Sequence, residues 1–143
     1  MSGYVDEVVI PYDRDLGPVL FEHYGLDTAK RVAQQNPMNV LEIAAGTGIV
    51  TRHLRNLLPK NANLTAIDIS DSMMDIARQK FSDDEQVIFQ NADATLLPFD
   101  DGVFDAVLCQ FGVMFFDREK SFREVYRTLK PNGRYLFRVW DSA

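Results

Sequence analysis

The sequence has one cysteine, Cys109, and two histidines, so the side chains that build disulfide frameworks and metal centres are nearly absent. A single cysteine excludes an internal disulfide and a thiolate zinc site, and it is typical of a reducing cytoplasm. We predict no metal centre, because two isolated histidines supply too few ligands. No apolar run reaches the roughly 18 residues that a membrane span requires, and the first residues lack the basic groups of a secretory signal. We therefore expect a cytoplasmic protein with no membrane partner.

Positive charge is also scarce. The chain has 15 lysines and arginines against 21 acids, a net charge of −6, and no block of like charge. This balance argues against a nucleic-acid-binding surface. The length of 143 residues and the 46% hydrophobic composition are those of one globular domain, which we assign to residues 1–143.

Short apolar runs alternate with helix-like segments along most of the chain. We predict strands at 40–45, 64–68, 87–89, 103–109 and 135–140, with helices between them. This order predicts an α/β fold with a doubly wound, mostly parallel sheet and helices on both faces. Residues 36–143 form the core, 18–35 an N-terminal helical region, and 1–17 an irregular lead-in. The final strand, Tyr135 to Trp140, is expected to be an open edge through which a second copy pairs as a homodimer.

A loop containing two glycines follows the first of these strands. It reads Glu42-Ile43-Ala44-Ala45-Gly46-Thr47-Gly48 and leads directly into a helix. In a doubly wound sheet, ligands lie outside the carboxyl ends of the strands. Glycines there allow a close approach of ligand to backbone, and the helix N-terminus offers unpaired N–H groups. A plain strand-to-helix turn explains the Gly46-Thr47-Gly48 tripeptide equally well.

Three further candidates lie at the ends of the later strands. Asp68 comes 20 residues after Gly48, where a carboxylate can accept hydrogen bonds from both hydroxyls of a ribose, and we favour that role over a surface acid. Asp93 is placed either to accept from an adenine amino group or to initiate a turn. Gln110 either offers its backbone carbonyl to an ammonium group or marks a strand end that turns at Gly112.

The loop matches neither of two common nucleotide-binding loops. A dinucleotide loop requires a third glycine where Ile49, Val50 and Thr51 stand, and a phosphate-binding loop requires Gly-Lys-Ser or Gly-Lys-Thr, which the sequence lacks. A nucleotide-dependent oxidoreductase is therefore disfavoured.

Taken together, these segments resemble the class I S-adenosylmethionine-dependent methyltransferases, and most closely the small-molecule, ubiquinone/menaquinone-biosynthesis-like group. The resemblance covers roughly residues 18–140 and implies a Rossmann-like sheet. Five ordered motifs carry it: the segments 40–48, 66–70, 91–94 with 97–99, 104–107 and 123–133.

The resemblance also implies roles for individual residues. The loop formed by Ala44, Ala45, Gly46, Thr47 and Gly48 would cradle the methionine portion of S-adenosyl-L-methionine. Glu42 would help to order that portion, and the backbone around Gln110 would meet its amino group. Asp68 would hold the ribose, with Ile69 and Met73 against the adenine, and Asp93 would take the adenine amino group beside Ala92 and Ala94. No catalytic base is predicted, because in-line transfer of the methyl group to a small-molecule acceptor, leaving S-adenosyl-L-homocysteine, depends mainly on positioning.

The sequence departs from the family pattern in two ways. Ala44 stands where the first glycine usually falls, a change of one methyl group that we expect to be tolerated. Family members normally continue into a sixth and a seventh strand, whereas this sequence stops at Ala143, so the last two family strands are expected to be missing. The alternative to a methyltransferase is therefore a cofactor-binding module, or a truncated fragment, without transferase activity of its own, and we expect poor turnover.

Overall fold

The computed structural model describes residues 4–11, 17–110 and 117–141. Ten elements follow one another along these residues, and most of the predicted strands and helices are among them. They are β1 (Tyr4–Pro11), α1 (Gly17–Ala33), β2 (Asn39–Ile43), α2 (Ile49–Leu57), β3 (Asn63–Asp68), α3 (Asp71–Arg78), β4 (Val87–Asn91), β5 (Phe104–Gln110), α4 (Arg118–Thr128) and β6 (Leu129–Asp141).

The strands form one sheet of six in the order β1-β6-β5-β2-β3-β4, and every neighbouring pair is parallel. After β2 the chain adds β3 and β4 on one side, and then crosses back to add β5 and β6 on the other. The strand order therefore reverses between β2 and β5, which is where doubly wound sheets bind ligands. The predicted fold class is confirmed.

Successive residues of a strand point to opposite faces of the sheet, so each face has its own core and is covered by its own helices. One core cluster joins Leu41 and Ile43 of β2 to Val125 of α4. The other joins Val40 of the same strand to side chains from α1 and α2, among them Ala29 and Leu54. Among the described residues, no helix combines the length and apolar character needed to cross a bilayer.

The N-terminal strand corrects two expectations. Residues 4–11 were expected within an irregular lead-in, but they form β1, which pairs with β6 from Tyr4 opposite Arg134 to Pro11 opposite Asp141. Consequently β6 has a neighbour on each side, and the expectation that Tyr135–Trp140 is an open edge is wrong. The proposed homodimer through that edge loses its basis, since the backbone groups that would pair with a second copy already pair with β1.

The segment Pro131-Asn132-Gly133 lies inside β6, where the strand makes a bulge. Leu129 is opposite Phe104, whereas Arg134 is already opposite Ala106, so β6 carries extra residues in this interval. Asn132 accommodates them with a φ of 70°. Gly133 cannot be replaced without movement, because a Cβ atom there would lie 2.8 Å from the carbonyl oxygen of Lys130.

Candidate functional site

The loop that follows β2 lies at the point where strand order reverses, and its backbone is sharply turned. Ala44, Gly46 and Gly48 all have positive φ, of 56°, 59° and 85°. This left-handed conformation is open to glycine but costs an alanine roughly 1–2 kcal/mol. The two glycines therefore allow the turn, and Ala44 is held in a strained conformation by its surroundings.

Gly46 and Gly48 differ in what lies next to them. Gly48 caps the N-terminus of α2, and a Cβ atom at this position would lie 2.9 Å from the Cβ of Ala77 in α3. At Gly46 a Cβ atom would meet only the sulfur of Met73, at 3.9 Å. Gly48 thus permits close packing of α3 on the loop, whereas the backbone at Gly46 borders open space that a ligand can enter.

Two side chains outside the loop fix its position. Gly46 donates its backbone N–H to Oδ2 of Asp68 at 2.9 Å, while Oδ1 of Asp68 accepts from the N–H of Ser70 at 2.8 Å. Lys80 donates from Nζ to the carbonyl oxygen of Thr47 at 2.6 Å. Ser70 in turn caps α3 by accepting from the N–H of Met73. Asp68, predicted as a ribose ligand, therefore also holds the glycine loop, and each of its oxygens retains a lone pair for a further donor.

Glu42 is a fully buried carboxyl group beneath this loop. Its exposed fraction is 2%, and it accepts a hydrogen bond from the hydroxyl of Thr51 in α2. Burial raises the pKa of Glu42 to about 8, an effect that the Thr51 hydrogen bond opposes and the negative charge of Asp68 reinforces. At neutral pH this side chain is therefore mainly protonated, and it would ionise if a cation came close.

A cavity of about 230 Å³ lies between the loop, α3 and the end of β5. Seven of the predicted site residues line it, namely Glu42, Ala44, Ala45, Gly46, Thr47, Met73 and Gln110. Ile49 and Val50 of α2 complete the wall. The structure thus brings together the glycine loop and Gln110, and Asp68 is next to them because it accepts a hydrogen bond from Gly46. Among residues 4–11, 17–110 and 117–141, no group of side chains could hold a metal ion.

The remaining predicted residues do not line the cavity. Ala92 donates its N–H to the carbonyl of Asp68 at 3.2 Å, which places the third segment next to the second. Asp93 accepts from both the N–H and the hydroxyl of Thr95 through Oδ1, and these hydrogen bonds hold its pKa below the ordinary value. Ala94 is buried in the core. Ile69, with 72% of its surface exposed, is an unusually open apolar side chain next to Asp68.

Sequence reasoning missed the contribution of α1 to this site. Thr28 donates a buried hydrogen bond to Oε1 of Gln110, across 82 residues of chain. A Cβ atom at Gly25 of the same helix would be in van der Waals contact with residues that line the cavity. No local pattern marks either contact, since both depend on how α1 lies against the sheet.

Comparison with known proteins identifies the family to which the chain is similar. A model described as a methyltransferase domain matches residues 41–137. The chain is 36% identical over 140 residues to a demethylmenaquinone methyltransferase of Clavibacter sepedonicus, covering 95% of this chain and 56% of that protein. It is 35% identical over 121 residues to the ubiquinone/menaquinone biosynthesis C-methyltransferase UbiE of Idiomarina loihiensis, covering 82% of this chain and 47% of that protein.

A solved structure shares the fold. The crystal structure of an S-adenosylmethionine-dependent methyltransferase from Mesorhizobium loti matches with a TM-score of 0.69 at 20% identity, covering 82% of this chain and 54% of that chain. The present chain spans about half the length of the curated relatives that it matches.

Proposed function

We propose that this chain, which belongs to the methyltransferase-domain family, binds S-adenosylmethionine in the cavity between the glycine loop and Gln110 and positions its methyl group for transfer to a small-molecule acceptor. S-adenosylmethionine is the cofactor of the family. The observation that carries the proposal is the cavity itself, because it lies at the reversal of strand order and is lined by the loop that the family model covers.

The residues at the cavity fit this cofactor. The space above Gly46 admits a ligand against the backbone, and the N–H groups that begin α2 lie beside it. Glu42 offers a buried carboxyl that a ligand ammonium group would convert to its anion. The loop 44–48 would therefore hold the methionine portion.

The nucleoside end of the cofactor would lie along the segments that contain Asp68 and Asp93. We assign the ribose to the remaining lone pairs of Asp68 and the adenine ring to the exposed side chains of Ile69 and Met73. Asp93, flanked by the backbone of Ala92 and Ala94, would accept from the adenine amino group.

The chemistry requires little of the protein beyond positioning. When bound, S-adenosylmethionine supplies a methyl group on a sulfonium that an acceptor atom displaces in line. The chain's own residues hold the loop that carries the donor, because Asp68 and Lys80 form hydrogen bonds to the loop backbone. Helix α1 packs behind the residues that line the cavity and excludes water from that side. Holding the donor and the acceptor in a fixed geometry supplies a large part of the rate enhancement of a transfer reaction.

The acceptor is proposed from the relatives. One protein of similar sequence is named a demethylmenaquinone methyltransferase, and another a ubiquinone/menaquinone biosynthesis C-methyltransferase. We therefore propose that the acceptor is a ring carbon of a quinol. The alternative, a cofactor-binding unit without turnover of its own, draws support from the match to only about half of each relative. A cytoplasmic location is part of the proposal and rests on the single buried cysteine; cell fractionation tests it.

Calorimetric titration tests cofactor binding. S-adenosylhomocysteine should bind and NAD should not. Asp68→Asn should weaken binding of S-adenosylhomocysteine about ten- to hundredfold, since it puts donors where acceptors are needed. The matched control is Asp75→Asn, an exposed α3 aspartate whose side chain pairs with Arg78, which should bind as the wild type does. Failure of the wild type to bind S-adenosylhomocysteine contradicts the proposal.

A turnover assay separates the two candidate functions. The chain would be incubated with S-adenosylmethionine and reduced naphthoquinols, benzoquinols, phenols, amines, thiols and carboxylates, and S-adenosylhomocysteine would be quantified. Methylation at a quinol carbon supports the proposed acceptor. Methylation of another acceptor refutes that class, and binding without turnover supports the alternative.

A further inference from the structure

The cavity beside the glycine loop has one titratable side chain among the described residues that line it, and that side chain is Glu42. Asp68 does not line the cavity, and its two oxygens accept hydrogen bonds from the N–H groups of Gly46 and Ser70. A cationic group that enters the cavity therefore meets the Glu42 carboxyl as the acid on its wall.

The two oxygens of the Glu42 carboxyl have different surroundings. Oε1 accepts a hydrogen bond from the hydroxyl of Thr51. Oε2 has no hydrogen-bond partner among the described residues. In the same part of the chain, the polar side-chain atoms that are sealed from solvent without a partner are Oη of Tyr135 and Nε of Arg138, and Oε2 of Glu42 is not one of them. Because Glu42 lines the cavity, Oε2 is the oxygen that reaches it.

Thr51 holds this carboxyl from within α2. Ile49 and Val50, the two residues before it, line the cavity, whereas Thr51 is fully buried and does not. A carboxyl anchored through one oxygen presents the other in a fixed direction, and a hydroxyl that donates to it stabilises its ionised form. Burial raises the pKa of Glu42 to about 8, and the Thr51 hydrogen bond opposes this rise.

The other charged groups around Glu42 leave its free oxygen to a ligand. Asp68, at the end of the neighbouring strand, disfavours ionisation of Glu42 by its negative charge. No basic side chain among the described residues pairs with Glu42. Those of α1, α2 and β6 that form ion pairs do so with other acids: Arg52 with Glu85, His53 with Glu22, and both Arg31 and Arg138 with Asp27. Arg55 of α2 donates instead to backbone carbonyl oxygens.

On the basis of the proposed function, we propose that Thr51 is a positioning residue for the ammonium group of the ligand, because it holds Oε1 of Glu42 and so directs Oε2 to pair with that group. When the ligand binds, the proton on Oε2 leaves to solvent. The resulting carboxylate keeps the Thr51 hydroxyl on one oxygen and receives the ammonium group on the other. Without the hydroxyl, Oε1 is buried with no donor, which disfavours the ionised form that the ammonium group requires.

The test compares two ligands by calorimetry at pH 7. S-adenosylhomocysteine has the ammonium group, and 5′-S-(3-carboxypropyl)-5′-thioadenosine has the same chain and carboxylate without it. Thr51→Val, which keeps the shape of the side chain, should weaken S-adenosylhomocysteine about ten- to hundredfold, the range for a hydrogen bond to a charged group, and change the analogue less than twofold. Thr51→Ser, which retains a hydroxyl, should restore most of the affinity. The matched control is Thr128→Val, a buried α4 threonine whose hydroxyl donates to the carbonyl of Val125, and it should bind both ligands as the wild type does.

The pH dependence of binding gives a second readout. Because Glu42 must release a proton to pair with the ammonium group, the affinity of the wild type for S-adenosylhomocysteine should rise by up to about tenfold per pH unit between pH 6 and pH 8. The affinity for the analogue should not rise in this way. Glu42→Gln has no proton to release, so it should abolish the rise and leave the affinity for the analogue unchanged.

Equal weakening of both ligands by Thr51→Val would indicate a purely structural role and overturn the proposal, as would an unchanged affinity for S-adenosylhomocysteine in that variant. A wild type that binds both ligands equally tightly, or whose affinity for S-adenosylhomocysteine stays constant from pH 6 to pH 8, would also overturn it while leaving the proposed function intact. A wild type that binds neither ligand would instead refute the proposed function, and this inference with it.

Discussion

Replacing Glu42 by glutamine should make the chain more stable in neutral and weakly alkaline solution. Burial raises the pKa of Glu42 from 4.5 to about 8 in the folded chain, whereas the unfolded chain ionises near the lower value. Glutamine keeps an oxygen that can accept from Thr51 but has no proton to lose. The substitution therefore isolates the cost of keeping this carboxyl buried.

The sign and size follow from proton linkage. Between pH 4.5 and pH 8 the folded state holds a proton on Glu42 that the unfolded state has released, so the stability of the wild type falls as the pH rises. Each pH unit in this window removes about 1.4 kcal/mol. Relative to Glu42→Gln, the wild type should therefore lose at most about 5 kcal/mol across the window and show no further change above it.

Urea unfolding from pH 5 to pH 9 measures this difference. The stability of Glu42→Gln minus that of the wild type should increase by about 3 kcal/mol between pH 5.5 and pH 7.5. Glu119→Gln serves as the control for charge removal, because this α4 side chain is 77% exposed. A difference between Glu42→Gln and the wild type that stays constant from pH 5 to pH 8 would refute a protonated, buried Glu42.

Three further substitutions test local features by the same unfolding measurement at one pH. Tyr135→Phe should stabilise by about 1 kcal/mol, since the buried hydroxyl has no hydrogen-bond partner among the described residues; a loss of stability would reveal one. Ala44→Gly should stabilise by up to about 1 kcal/mol by relieving a φ of 56°, and an equal loss would mean that the methyl group packs usefully. Gly48→Ala should destabilise by about 2 kcal/mol or more, because φ is 85° and Ala77 lies 2.9 Å from the added carbon; an unchanged midpoint would contradict the close packing of α3.

The parts of the fold that local patterns determine could be predicted from the sequence. The alternation of β2 to β5 with their helices is a short-range pattern, since each strand is a brief apolar run. Two of the helices, α3 and α4, begin at capping side chains, Ser70 and Asp117. Parallel strands have their carboxyl ends at one edge, so the loop 44–48, Asp68 and Gln110 could be placed near one another before any contact was known.

Features that depend on distant partners could not be predicted. Residues 4–11 have no clear periodicity, and their strand exists because β6, some 130 residues later, offers a parallel edge. The bond between Thr28 and Gln110 likewise joins residues 82 positions apart. The protonation of Glu42 depends on complete burial, which no motif encodes. The missed features are therefore tertiary rather than local.

The protonated state of Glu42 has a consequence for which ligands the cavity favours. In the ligand-free chain near neutral pH, the Glu42 carboxyl is mainly neutral. A ligand with an ammonium group beside Glu42 lowers the pKa of that carboxyl, and binding then releases a proton below pH 8. A neutral nucleoside gives no such release. We therefore expect the site to discriminate by charge as well as by shape, because only a cationic ligand would provide the buried carboxylate of Glu42 with a partner of opposite charge.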